Sequence, residues 1–246
     1  MASKRKNTKT SSFGTPGRVG HDSSAFYAGG LISRGSVLRS AYAQFVYLVG
    51  GADHDQMEKM REFLSDLSAG WDVQTVRDIV ADTLHHIVDP LVYDEAVSLI
   101  EEHQLAGRDV VIVSASGAEV VEPIGEMLGA DGVIATRMEI EDGKYTGEIG
   151  FYAYAENKAS AIEELAREKG YDLSRSYAYS DSITDVHMLE IVGHPHAVNP
   201  DRELRKTAAS RGWPVLWFNR PVALTRRMRL PSSRPTLAAI ALGTAV

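Results

Sequence analysis

The sequence predicts an α/β protein: a parallel sheet covered by helices, with a helical block inserted ahead of the sheet. Two observations carry this. From Gly107 onward, short apolar strands alternate with helical segments, the order that a parallel sheet with crossover helices requires. Before Gly107, about seventy residues keep an apolar spacing of three and four with no strand-like run. A chain of 246 residues suits one domain carrying such an insertion.

The elements follow in order. Val37, Leu38, Ala41, Phe45 and Leu48 fall mostly three and four apart and predict a helix beginning at residue 35. Met57, Met60, Leu64 and Leu67 place a second helix over 55–68. Val73, Val76, Ile79, Val80 and Leu84 place a third over 72–86, with Asp72 as its N-cap. A fourth spans 92–106 and stops at Gly107, where a C-cap glycine is expected. Then the period changes. Asp109-Val-Val-Ile-Val-Ser114 is a continuous, β-branched apolar run, the pattern of a strand buried on both faces. A helix over Ala118–Leu128 and a strand over Val133–Thr136 follow, and Glu141-Asp-Gly-Lys144 signals a hairpin turn. Beyond the hairpin come helix 156–169, strand 176–180, helix 185–191, strand 196–198, helix 201–211 and strand 214–218.

Composition narrows the function classes. The chain is 44% hydrophobic and 24% charged, which excludes collagen-like and wholly disordered chains. It contains no cysteine, so zinc fingers, iron–sulfur clusters, disulfide frameworks and thiol nucleophiles are excluded, and a reducing, cytoplasmic setting is expected. Charge is segregated: residues 1–50 are net +6, 51–203 net −21 and 204–246 net +8. The acidic centre argues against a nucleic-acid partner. Residues 1–26 are basic, rich in Ser, Thr and Gly and without an apolar run, so they are expected to be disordered. Leu237–Val246 is uncharged and mostly apolar, but ten residues fall well short of the ~20 a membrane-spanning helix needs.

Three positions stand where α/β sheets place ligand contacts, beyond the carboxyl ends of their strands. Ser114 closes the apolar strand ahead of a helix, where its hydroxyl and the free N–H groups of the helix start suit a phosphate. As a bare motif it is equally read as an N-cap serine. Asp181 and Asp185, in Tyr-Ser-Asp-Ser-Ile-Thr-Asp, are two carboxylates four apart that suit a hard divalent cation, or else a turn and a cap. Lys158 opens a helix, where a cation is unfavourable unless an anion joins it. Hydroxyl, lysine and acidic pair, in this order on successive strands, compose a metal-assisted phosphoryl-transfer site. Ser114 would bind a phosphoryl oxygen and Lys158 would neutralise charge on the transferring group. Asp181 would hold magnesium, and Asp185 would support its water shell.

These residues, from about Tyr27 to Trp217, resemble the haloacid dehalogenase-like phosphatase superfamily, subfamily IB, which includes phosphoserine phosphatases. Val-Ile-Val-Ser114-Ala-Ser is similar to the family's second motif, Lys158 to its third and Tyr-Ser-Asp181-Ser-Ile-Thr-Asp185 to its fourth. Asp-Gly-Lys-Tyr-Thr-Gly147 and Ala-Val-Asn199-Pro-Asp-Arg-Glu-Leu also resemble this subfamily. The resemblance implies a Rossmann-like core, a helical cap, Mg2+ dependence and hydrolysis of a small phosphorylated metabolite. It divides the chain into a basic segment 1–26, a cap 27–106, a core 107–220 and a basic, then apolar tail 221–246. Family members begin with a hydrophobic strand ending in Asp-x-Asp-x-Thr, whose first Asp is the nucleophile. Here Asp22 is the sole carboxylate before Asp53, and His21-Asp22-Ser-Ser follows no strand. The nucleophile is therefore not carried onto Asp22, and the sheet is expected to lack a central strand. Three readings stay open at this point: a phosphatase with an altered N-terminus, a non-catalytic phosphate-binding protein, and an unrelated α/β binding module.

Overall fold

The computed structural model describes residues 35–41, 54–84 and 91–223. The segment 1–26, the far end of the first predicted helix and the tail after Ala223 lie outside these residues. Helix α1 (35–41) is followed by α2 (His54–Ser68) and α3 (Val73–Asp82). Asp72 caps α3 as its side chain predicts: the carboxylate accepts the Thr75 N–H at 2.9 Å. Next come β1 (Leu91–Tyr93) and α4 (Asp94–Leu105). The sequence reading ran the helix through 92 and 93. These residues are extended instead and pair antiparallel with β8 (Pro221–Ala223), so the strand at 221–223 replaces the start of the expected tail. Three-residue strands are too short for alternation to register. The pairing is held by Glu95, whose carboxylate accepts the Arg220 Nε–H at 3.1 Å, and by the Asp94 N–H, which donates to the Arg220 carbonyl at 3.0 Å.

The remaining elements are β2 (Val111–Gly117), α5 (Ala118–Leu128), β3 (Gly132–Glu141), β4 (Lys144–Phe151), α6 (Glu156–Lys169), β5 (Tyr177–Ser180), α7 (Val186–Glu190), β6 (His194–Val198), α8 (Arg202–Arg211) and β7 (Val215–Leu216). Helices α5 and α6 coincide with their predicted bounds. Strand β3 runs five residues beyond its predicted end because it continues into the hairpin with β4, turning at Asp142 (φ +50°) and Gly143 (φ +75°). Two positive φ values are what a tight two-residue hairpin turn requires.

The strands form two three-stranded sheets, ordered β2-β3-β4 and β5-β6-β7. β2 and β3 are parallel, as are β5, β6 and β7, in keeping with the α/β class. Among the described residues the two sheets share no ladder. β2 ends one and β5 ends the other, and residues of both line a single cavity of about 910 Å3. Residues 1–34, ahead of α1, lie outside the described residues.

Three apolar clusters hold the fold. Leu38, Ala41, Leu64, Val76, Val80 and Leu84 of the helical block pack with Val120 of α5 and Tyr145 of β4. Ala178, Met188, Leu189, Ala197, Leu204 and Ala208 form a second core around β5 and β6, and Val113 of β2 packs against it. Ala118, Val121 and Ala135 join α5 to β3. Helix α4 sides with the second sheet: His103 Nε2 lies 2.9 Å from the Tyr179 hydroxyl, and Leu99 and Ile100 line the cavity. Within the predicted cap, 27–106, α1–α3 thus pack on α5 and β4, whereas α4 packs beside β5.

Candidate active site

Ser114 sits at an irregularity that the sequence does not announce. The β2–β3 register runs Ser114↔Ala135 and then Gly117↔Thr136, so Ala115 and Ser116 bulge out of the ladder. The Thr136 hydroxyl donates to the Ala115 carbonyl at 2.7 Å and accepts the Ala153 N–H at 3.2 Å, which fixes the bulge. Ser114 Oγ accepts the Ser116 N–H at 3.2 Å, leaving its own proton for another partner. Ser114 is not the N-cap of α5. That position is Gly117, which offers no side-chain cap, and Glu119 Oε2 stands 2.9 Å from where a Cβ on Gly117 would be.

Lys158 is buried at 6% exposure, in the first turn of α6. The residue before the helix, Ala155, holds φ +46°, a strained conformation for a side chain with a Cβ. Lys158 Nζ contacts Asp185 Oδ1 at 2.7 Å, and Asp185 Oδ2 accepts the Ser180 hydroxyl at 2.8 Å. Asp185 is itself buried, ends the 3₁₀ turn Ile183–Asp185 and makes no side-chain cap to α7. Lys158 is therefore not an exposed surface lysine, and the capping role that the sequence left open for Asp185 is ruled out. The two form a desolvated ion pair anchored by a hydroxyl.

Asp181 follows β5 directly and keeps contact with solvent. Loss of hydration on its protein side pushes its pKa up. Asp185 and Asp201 push in the same direction, while Lys158 offsets them. Its carbonyl accepts the Asp201 N–H at 2.8 Å, tying the loop to the start of α8. Asp201 in turn caps α8 through Leu204 N–H at 2.7 Å and holds the Ile183 N–H at 2.7 Å. A carboxylate oxygen is a hard donor, so the chemistry of Asp181 fits magnesium. Asp185 has one oxygen on Lys158 and one on Ser180, which leaves it a supporting role. Among the described residues no group of three or more His, Asp or Glu forms a metal-holding cluster.

The predicted residues thus converge only in part. Lys158 and Asp185 touch, and Asp181 lies within electrostatic reach of both. Ser114 belongs to the opposite sheet, but its neighbour Val113 lines the same cavity as Asp185. Sequence reasoning missed two supports. Ser180 was legible in principle, since Ala178 and Ser180 alternate on the buried side of β5. Glu119 was not. Its carboxylate is 6% exposed, accepts the Tyr145 hydroxyl at 2.8 Å, and is pushed to a raised pKa by burial.

Comparison with known proteins gives a consistent result. The model of the haloacid dehalogenase-like hydrolase family matches residues 19–190. That match takes in 19–26 of the basic N-terminal segment, outside the described residues. The chain is 66% identical over 224 residues to the "Inhibition of morphological differentiation protein" of Streptomyces azureus, covering 89% of this chain and 80% of that one. It is 60% identical over 224 residues to a probable phosphatase of Mycobacterium tuberculosis, covering 91% and 77%. A crystal structure of a Bordetella pertussis protein of unknown function is 30% identical, with TM-score 0.61 over 73% of this chain and 91% of that one. A substrate-bound phosphoserine phosphatase structure, 20% identical with TM-score 0.50 over 73% and 85%, shares the fold. Family match, strand order and the buried Lys158–Asp185 pair agree: the chain belongs to the haloacid dehalogenase-like hydrolase family.

Proposed function

We propose that the site binds a small phosphomonoester, of the phosphoserine class, with Mg2+ and hydrolyses it in the cytoplasm. The observation that carries this is the buried Lys158–Asp185 pair beside Asp181 at the carboxyl end of β5. A lysine held at 6% exposure on one carboxylate is oriented and poorly hydrated, the state in which a cation best stabilises charge on a transferring phosphoryl group. The Ser114 hydroxyl and the uncapped start of α5 would hold the remaining phosphoryl oxygens. Asp181 would hold Mg2+, with Asp185 as support, and the metal would supply charge neutralisation. The name of the mycobacterial relative, a probable phosphatase, supports this reading.

A second reading has its own observation. Asp22 is the sole carboxylate before Asp53 in the sequence, and His21-Asp22-Ser-Ser does not carry the paired Asp-x-Asp. On that reading the chain binds phosphate without turnover. The deciding experiment is hydrolysis of an aryl phosphate by the full 246-residue chain with and without Mg2+, beside Asp181→Asn and Asp22→Asn. The first reading expects Mg2+-dependent turnover lost in Asp181→Asn, with Asp22→Asn reporting whether that carboxylate attacks. No turnover in a folded chain that still binds vanadate establishes the second. No turnover and no binding overturns both.

A further inference from the structure

Glu119 is a buried carboxylate outside the group formed by Lys158, Asp185 and Asp181. It stands in the first turn of α5 at 6% exposure, and its Oε1 accepts the Tyr145 hydroxyl at 2.8 Å. Tyr145 is 1% exposed and belongs to the core of the helical block, with Leu38, Val76 and Val80. Its backbone is tied twice to the turn between α2 and α3. The Tyr145 N–H donates to the Trp71 carbonyl at 3.0 Å, and the Tyr145 carbonyl accepts the Gly70 N–H at 2.7 Å. The hydroxyl of this anchored residue therefore fixes the Glu119 carboxyl from the side of the helical block.

The second carboxyl oxygen lies over the bulge. Glu119 Oε2 is 2.9 Å from the place of a Cβ on Gly117, closer than a real Cβ comes to another atom. Gly117 has φ −63° and ψ 143°, extended backbone that any residue adopts, so its conformation does not call for glycine. The seat of the Glu119 carboxyl does. Gly117 closes the bulge that begins after Ser114, and it is also the N-cap of α5. Burial favours the neutral form of this carboxyl, which repels no anion held beside it. We infer that Glu119, braced on the Tyr145 hydroxyl, is a positioning residue for phosphate: it holds Gly117 and the bulge after Ser114 in the shape that receives the phosphoryl oxygens. The inference rests on the reading of Ser114 and the start of α5 as the phosphate-holding elements. In this role Glu119 acts through the Gly117 backbone and not on the phosphate itself.

The test is vanadate affinity, by titration calorimetry on the full chain and on Tyr145→Phe, Glu119→Gln, Glu119→Ala and Gly117→Ala. Loss of the brace should weaken vanadate about tenfold in Tyr145→Phe and Glu119→Ala, the scale of one hydrogen bond, whereas Glu119→Gln still accepts the hydroxyl and should stay within about twofold. Gly117→Ala pushes the carboxyl aside and should weaken binding by itself, yet cost nothing further when added to Glu119→Ala. Tyr145→Phe and Glu119→Gln keep the packing, so they decide the matter even where Glu119→Ala does not fold. Amide exchange in the ligand-free chain reads the bulge directly: amides 115–118 should exchange about tenfold faster in Tyr145→Phe, with amides 177–180 of β5 unchanged. Parent-like vanadate affinity in Tyr145→Phe, or exchange at 115–118 that changes no more than at 177–180, overturns the inference and leaves the phosphate reading standing. A parent chain that binds no vanadate overturns the phosphate reading and this inference with it.

Discussion

Replacing Lys158 by Met keeps most of the side-chain length and removes the charge. Asp185 is then left with the Ser180 hydroxyl as its hydrogen-bond partner in a site where its side chain is 11% exposed. Breaking a buried ion pair from one side costs about 3–5 kcal/mol, because the abandoned charge has no water to return to. For a chain of this size that is a fall in melting midpoint of roughly 6–20 °C. Replacing both partners, Lys158→Met with Asp185→Leu, removes the unpaired charge together with the pair, and should recover at least half of the loss. The assay is a double-mutant cycle by urea unfolding with a common slope. If Lys158→Met lies within about 0.5 kcal/mol of the parent, or the two single effects simply add, then the pair is not coupled as the geometry requires. The same variants report on function: Lys158→Met should lose vanadate binding, whereas a pair with a purely structural role would leave binding intact in the stable double variant.

Other predictions concern the supports. Glu119 has a folded-state pKa raised by burial above its unfolded value of 4.5, so the stability it contributes is fully present below that pH and is lost as pH rises through the folded-state pKa. Glu119→Gln, which still accepts the Tyr145 hydroxyl, should match the parent at pH 4 and exceed it in urea midpoint at pH 8. At Gly147, φ is +95° and an added Cβ would stand 2.9 Å from the Ala69 Cβ, so Gly147→Ala should cost about 1–3 kcal/mol by urea unfolding. Leu204 is fully buried against β6 and its replacement by Ala should cost about 2–5 kcal/mol. Leu105, 76% exposed at the end of α4, should tolerate the same change within about 0.5 kcal/mol, and thermal unfolding of the pair separates the two cases.

What the sequence alone determined is what depends on neighbours along the chain. The bounds of α5 and α6, the Asp72 cap and the turn at Asp142-Gly143 follow from side chains a few residues apart, so local pattern suffices to place them. The family, too, was legible, because Ser114, Lys158 and Asp181 are spaced by the strands and helices that carry them. Tertiary structure decided what depends on distant pairing. It gave Asp185 to Lys158 and Ser180 instead of to a helix cap, across 27 residues of chain in the first case. It paired β1 with β8 across more than a hundred residues, placed α4 beside β5, and buried Glu119 under Tyr145. It also brought residues of β2, β5 and α4 around one cavity, which no local pattern could specify. Hydrogen bonds and desolvation act through space, and only the fold says which groups share that space.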